Sequence, residues 1–188
     1  RGVFTPNPVA HGIPTPDGPI LIDISASITT FNMAQRLIRE GRQYPADWVM
    51  TAEGKPSRDP ADLTRGGSLL PTGGLDHGQK GYGMALHVEA LTQGLAGYGR
   101  ADAPKGTNSA VTVQVWDPAA FGGAQAFLRQ TGWLAEACHA SPARDPSRPV
   151  RLPGEAALAR KAKALASGVA LYPTIMASLA EAAAKLGL

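Results

Sequence analysis

"GPILIDISASITTFNMAQRLIREG", Gly18 to Gly41, is the stretch whose reading decides the fold class. "PILIDI" is a short apolar run bounded by Gly18-Pro19 and a Ser/Thr cluster, the pattern of a buried strand. The period then changes. Ile28, Phe31, Leu37 and Ile38 fall near helical spacing, and Gly41 suits a helix C-terminus, where a left-handed residue closes the last turn. A strand therefore leads directly into a helix, with Asp23, Ser25 and Ser27 at the junction.

Residues 42–80 are loop-rich: "YPADW", "EGKPSRDPADL" and "RGGSLLPTGG". Asp47 and Asp59-Pro60 are placed to cap short helical turns, and Trp48, Leu69 and Leu70 favour an ordered, functional loop over a disordered one. From Gly81 the pattern is helical, with Met84, Val88, Leu91 and Leu95 on one face. "SAVTVQVW" alternates, Val111, Val113 and Val115 against Thr112 and Gln114, which predicts a half-buried strand, antiparallel or at an edge. "DPAAFGGAQAFLRQTGWLAEACHA" reads as a helix with Asp117 as N-cap and Pro118 at its first position. A Pro/Arg-rich loop, residues 141–154, precedes two Ala-rich helices divided at Gly168. No internal repeat is visible.

The chain has 188 residues, enough for one domain or one domain with an appendage. Hydrophobic residues make up 44% and charged residues 18%, which excludes a disordered chain. Net charge is +3, with the basic residues dispersed and aromatics at 6%, so nucleic-acid binding is disfavoured. A small anion needs only one or two well-placed cations. The single cysteine, Cys138, excludes an internal disulfide and fits a reduced compartment, the cytoplasm. No apolar run approaches the ~20 residues of a membrane span, and no signal peptide is visible. The opening "RGVFTPNP" has no Met and reads as the continuation of a longer chain.

"GGLDHGQKGYGMAL", Gly73 to Leu86, holds five glycines around Lys80 where the helical pattern begins. The positive end of a helix dipole disfavours a lysine, so either the charge is solvated or an anion belongs beside it. The spacing fails as a Walker A loop, because Lys80 is followed by Gly81, and it fails as a Rossmann fingerprint. Glycines, free backbone N–H groups and Lys80 together make an anion site. A glycine-rich turn with a solvated lysine is the alternative. Asn7, between two prolines in "TPNP", is expected to be held extended with its amide firmly aimed, for recognition or as a rigid turn. Asp23 at the strand end is placed either to hold ribose hydroxyls or to cap the helix. In "RLPGE", Gly154 permits close backbone approach and Glu155 suits a helix start. His11, His77, His87 and His139 show no triad or metal spacing.

In this order, "TPNPVAHGIPT", "GPILIDISAS", "LPTGGLDHGQKGYGMALHVEALT" and "VRLPGE" resemble the malate/L-lactate dehydrogenase family across essentially the whole chain. This is the non-Rossmann group that includes sulfolactate, ureidoglycolate and diketogulonate dehydrogenases or reductases. The resemblance implies an α/β fold with a mixed β-sheet and flanking helices, sulfolactate-dehydrogenase-like and not a classical Rossmann fold. It implies an NAD(P)-binding region over 1–150 and C-terminal helices over 151–188. It also implies hydride transfer between NAD or NADP and a 2-hydroxy acid such as malate or lactate, in a homodimer; the composition and spacing above add a cytoplasmic location and no nucleic-acid, membrane or metal partner. The cofactor-binding residues it implies are Asp23, Ile24, Ser25, Gln79, Lys80, Gly154 and Glu155, with Asn7 on the substrate or nicotinamide side.

Two departures follow from the same resemblance. The family's Gly-Thr-Asn-Pro reads Phe4-Thr5-Pro6-Asn7-Pro8 here, and the inserted proline reshapes that wall. The family's catalytic histidine lies in an N-terminal segment that would precede Arg1, and none of the four histidines matches it. No catalytic residue is therefore expected within this chain, which would bind cofactor weakly and turn over poorly by itself. A histidine there would exchange the hydroxyl proton as hydride leaves carbon. Arg36, Arg39 and Arg42 are candidates for a 2′-phosphate. The alternative reading is a non-catalytic anion- or metabolite-binding domain on the same scaffold.

Overall fold

The computed structural model describes residues 2–106 and 108–188. Helices and small sheets alternate along the chain, and the chain divides into two units. The first holds the residues up to Gly12 with Ile22–Leu128, the second Ile13–Leu21 with Arg129–Leu188. Strands β1 (Val9–Ile13) and β2 (Ile20–Ile24) pair as a two-stranded sheet, and the division passes through both. β2 is the strand expected from "PILIDI", but it is less buried than that run suggests. Ile20 is buried, whereas Leu21 and Ile24 are exposed.

In the first unit β2 leads into helix α1 (Phe31–Arg39). Thr30, rather than Asp23, caps it, accepting from the Met33 N–H at 3.2 Å. Gly41, at φ 63, follows the last turn and takes the left-handed conformation its position requires. Ala34 and Leu37 on the inner face of α1 pack with Tyr44 and Val49, and Met33, Trp48, Leu63 and Leu69 surround them. Thr30→Ala should cost about 1 kcal/mol of stability through the lost cap. Chemical denaturation against wild type checks this, and an unchanged midpoint would show that the cap contributes nothing.

The segment expected as a long loop is ordered and carries its own sheet. β3 (Val49–Met50) lies between β4 (Pro56–Ser57) and β5 (Ser68–Leu69), antiparallel to both, with Val49 opposite Ser57 and Leu69. Asp59 caps a 3-10 turn over Pro60–Arg65 through the Ala61 N–H, as Asp59-Pro60 predicts.

Helices α2 (Gly74–His77) and α3 (Gln79–Glu89) meet at Gly78, itself helical at φ −59 and ψ −20. The helical run therefore starts at Gly74, and Lys80 lies beyond its first turn rather than at its tip. A π-helical turn, Ala90–Gly94, extends it.

"SAVTVQVW" is not a strand. Val111, Val113 and Val115 are 81%, 80% and 91% exposed. Alternation yields a strand only where a neighbour supplies the ladder hydrogen bonds, and among the described residues none pairs with it. Asp117 caps only a short 3-10 turn, Pro118–Ala120. Gly123, at φ 98, then separates that turn from helix α4 (Ala124–Ala140), so the helix expected from Pro118 begins later.

In the second unit Thr131 of α4 donates to the Pro14 carbonyl at 2.8 Å. Helices α5 (Glu155–Ser167) and α6 (Pro173–Lys185) follow, broken at Gly168 as expected. No helix among the described residues is long and apolar enough to cross a membrane.

Candidate functional site

A cavity of about 390 Å3 in the first unit lies where β2 ends and α3 begins. Two extended segments laced by backbone hydrogen bonds build its floor. Ile28 N–H donates to the Leu70 carbonyl at 2.9 Å and Thr72 N–H to the Ala26 carbonyl at 2.7 Å. Thr72 Oγ1 adds a bond to the Ser25 carbonyl at 2.9 Å, and Gly81 N–H donates to the Thr72 carbonyl at 2.9 Å. α3 is thereby held flat against the floor. Gly81 is buried, and a Cβ there would collide with the Ala26 carbonyl and the Thr72 nitrogen. Gly73, Gly78 and Gly81 thus serve approach of the chain to itself, whereas a Cβ at Gly74 or Gly83 would meet no such crowding. The Gly81 N–H, expected as a free donor, is already occupied by the Thr72 carbonyl.

The cavity walls are chemically divided. Ile24, Ile28 and Met84 are apolar, while Ser25, Ser27 and Thr72 are hydroxylic. The hydroxyl protons are committed: Ser25 to the Ser27 carbonyl at 2.8 Å, Ser27 to the Thr29 carbonyl at 2.7 Å, and Thr72 to Ser25. Their oxygens remain acceptors. Lys80 is exposed, forms no ion pair among the described residues, and is the one cation lining this cavity. An anion on a partly apolar, partly hydroxylic ligand is what this set accommodates.

Of the residues singled out in the sequence, Ile24, Ser25 and Lys80 come together here. Asp23 and Gln79 flank the cavity in sequence, are exposed, and do not line it. Gly154 and Glu155 belong to the second unit. Gly154, at φ 99, would bring a Cβ to 2.7 Å from the Leu21 Cβ, so packing on β2 already demands glycine. Glu155 Oε2 accepts from the Leu152 N–H at 3.1 Å, and Oε1 lies 2.6 Å from His139 Nε2. Thr72, Ile28 and Met84 were missed as lining residues. The Thr72 signal was its place between Pro71 and the Gly73-Gly74 pair, where the chain turns into the helix.

Asn7 is buried and lies at φ 45, left-handed rather than extended. Asparagine tolerates that region better than most residues, which offsets the restriction that the following Pro8 places on its backbone. Its amide donates to the Ala85 carbonyl at 3.1 Å and to Glu89 Oε1 at 2.9 Å, and its Oδ1 accepts from Thr5 at 2.8 Å. Both amide hydrogens are therefore spent within the protein. Arg100 completes the cluster, donating from Nε to Glu89 Oε2 at 3.0 Å and from Nη2 to Oε1 at 2.8 Å. The Arg100 guanidinium holds the Glu89 carboxyl below the usual glutamate range, with the Asn7 bond acting the same way and burial opposing. Nothing in the sequence marks Glu89 and Arg100 as partners.

Among the described residues no group of His, Cys, Asp and Glu is arranged to hold a metal ion. Arg36 and Arg42 share Glu40, at 3.5 and 3.0 Å.

Comparison with known proteins places this geometry in context. A profile described as malate/L-lactate dehydrogenase matches residues 1–180. The malate dehydrogenase of Pyrococcus horikoshii is 28% identical over 96% of this chain and 52% of its own length. The Delta(1)-pyrroline-2-carboxylate/Delta(1)-piperideine-2-carboxylate reductase of Pseudomonas syringae pv. tomato is 38% identical over 50% of this chain and 27% of its own. A dehydrogenase structure from Sinorhizobium meliloti superposes with a TM-score of 0.76 at 28% identity, covering 96% of this chain and 53% of that one. The chain thus spans about half the length of the relatives it matches along its whole extent.

Proposed function

The chain belongs to the malate/L-lactate dehydrogenase family, and we propose that it carries part of the nicotinamide-cofactor site of a 2-hydroxy acid dehydrogenase or reductase. The observation that carries this reading is the meeting of Ile24, Ser25 and Lys80 around one cavity at the carboxyl end of β2. A cavity of about 390 Å3 is at the small end of ligand pockets and suits one portion of a dinucleotide. Its donor set fits that group. Lys80 would meet a phosphate or carboxylate charge, the Ser and Thr oxygens would accept from ribose or amide donors, and Ile24, Ile28 and Met84 would cover an apolar ring face.

The cofactor, NAD or NADP, would supply the hydride chemistry between a 2-hydroxy acid, such as malate or lactate, and its 2-oxo acid. The chain's own contribution is to bind and orient. The hydrogen-bonded floor fixes Thr72 and Gly81, so Lys80 projects from a rigid helix. Asn7 holds the N-terminal strap, the segment before β1, onto α3 and belongs to the substrate or nicotinamide side of the same reading. Gly154 and Glu155 form a second candidate cofactor segment in the other unit, with Asp23 and Gln79 beside the first. A homodimer, a cytoplasmic location and a catalytic histidine contributed from outside this sequence belong to the same reading.

Titration with NADH and NADPH, followed by energy transfer from the three tryptophans, tests it. Saturable binding is expected, and Lys80→Ala should weaken it about 10-fold or more, the value of one charge-assisted contact. Saturable binding with unchanged affinity in the variant would overturn the placement of the cofactor on Lys80.

A further inference from the structure

The second unit carries a separate cavity of about 980 Å3 between the Pro/Arg-rich loop and the first turns of α5. Arg144, Arg148, Arg151 and Arg160 all line it. Several arginines elsewhere are matched to carboxylates: Arg36 and Arg42 to Glu40, Arg65 to Asp59 and Asp62, Arg100 to Glu89. The four around this cavity pair with no carboxylate among the described residues. One carboxylate, Asp145, shares the lining with the four arginines, and Glu155 is near it in the chain. Asp145 Oδ1 accepts from the backbone N–H and the hydroxyl of Ser147 at 3.0 and 2.8 Å. Glu155 faces Leu152 N–H and His139. Four cations around one concavity repel each other, a cost relieved when an anion sits among them. The positive end of α5 begins beside the same cavity, where Gly154 lines it.

We propose that this cavity binds a phosphate monoester. Its dianion and three terminal oxygens match several forked guanidiniums, whereas a lone carboxylate offers one charge and two oxygens. The concave lining favours a small anion over an extended polymer. Two sources share the chemistry: the 2′-phosphate of NADP, an assignment that rests on the dinucleotide reading above, and a free phosphate or phosphorylated small molecule, which does not.

Calorimetric titration of the whole chain with adenosine 2′-phosphate, adenosine and inorganic phosphate separates them. Adenosine 2′-phosphate is expected to bind more tightly than adenosine, with Arg148→Ala and Arg151→Ala each weakening it about 10-fold. Arg129→Ala, at an exposed position in the same unit that does not line the cavity, should leave it unchanged. Adenosine 2′-phosphate binding tighter than inorganic phosphate, and displaced by NADPH, assigns the NADP source. Equal binding of the two assigns the free one. Adenosine binding as well as its phosphate, arginine variants matching wild type, or an oligonucleotide outcompeting every monoester would overturn the proposal. NADH binding is scored separately. Its absence with phosphate binding intact counts against the dinucleotide reading alone, and the reverse counts against this site alone.

Discussion

Gly81→Ala will destabilise the first unit by about 3 kcal/mol or more, whereas Gly83→Ala, two residues along the same helix, will be neutral or stabilising by about 0.5–1 kcal/mol. The difference lies in what each methyl group meets. At Gly81 it meets the Ala26 carbonyl and the Thr72 nitrogen, both backbone atoms in segments pinned from either side. Neither can rotate away as a side chain would. To admit the methyl, either α3 lifts from the floor and stretches Gly81 N–H to the Thr72 carbonyl, or the methyl wedges between Thr72 N–H and the Ala26 carbonyl and parts the floor itself. Each such bond contributes about 1 kcal/mol net, in addition to the overpacking cost of about 1–3 kcal/mol. At Gly83 nothing lies within 4 Å, so only the helix-propensity gain remains. For a chain of this length about 3 kcal/mol lowers the melting midpoint by roughly 6–12 °C. Paired thermal melts decide the matter: equal midpoints for the two variants would mean that the floor is not rigid and does not position Lys80.

That contrast also shows what could be read from the sequence. The glycine cluster announced that backbone comes close to something, and its position before an apolar helix placed Lys80 at a helix start, although the helical run begins earlier, at Gly74. It did not say whether the neighbour was a ligand or the chain itself, because glycine answers both demands identically. Strand β2, helix α1 and the Asp59-Pro60 turn were legible because their determinants are local: an apolar run, a period and a cap. The three-stranded sheet of β3, β4 and β5 was not. Two-residue strands leave no period to read, and Val49 of the central one is anchored by packing with Ala34, Leu37 and Tyr44, which are distant in sequence from its partners Ser57 and Leu69. "SAVTVQVW" failed for the opposite reason. Its alternation is a true strand preference, but pairing is a property of two segments, and none of the described residues supplies the second. The cluster of Asn7, Glu89 and Arg100 was invisible because it joins distant positions whose types are individually common.

Glu89→Ala will cost about 2 kcal/mol at neutral pH, most of it through Asn7. Without the carboxylate, one amide hydrogen of a nearly fully buried Asn7 loses its acceptor, at a desolvation cost of about 1–3 kcal/mol. The lost pairing with Arg100 adds less, because the guanidinium is partly exposed and water replaces its partner. Glu89→Gln separates the two effects. A glutamine oxygen can still accept from Asn7, so that variant should lose mainly the charge term and be milder than Glu89→Ala. The charge term has a definite pH signature. Glu89 is held below its ordinary value of 4.5 by Arg100 and then Asn7 in the folded chain, so the unfolded chain binds its proton first as pH falls. Its contribution is therefore complete above that ordinary value and is lost as pH drops through the lower folded value. The stability gap between wild type and Glu89→Gln should be flat from pH 8 to about 5 and should close in more acid solution. Urea unfolding of both proteins across that range measures it. A gap that persists undiminished in acid would mean that Arg100 and Glu89 do not hold the N-terminal strap by charge. Asn7 would then be fixed on α3 by hydrogen bonds that need no charge, to the Ala85 carbonyl and to the oxygen at position 89.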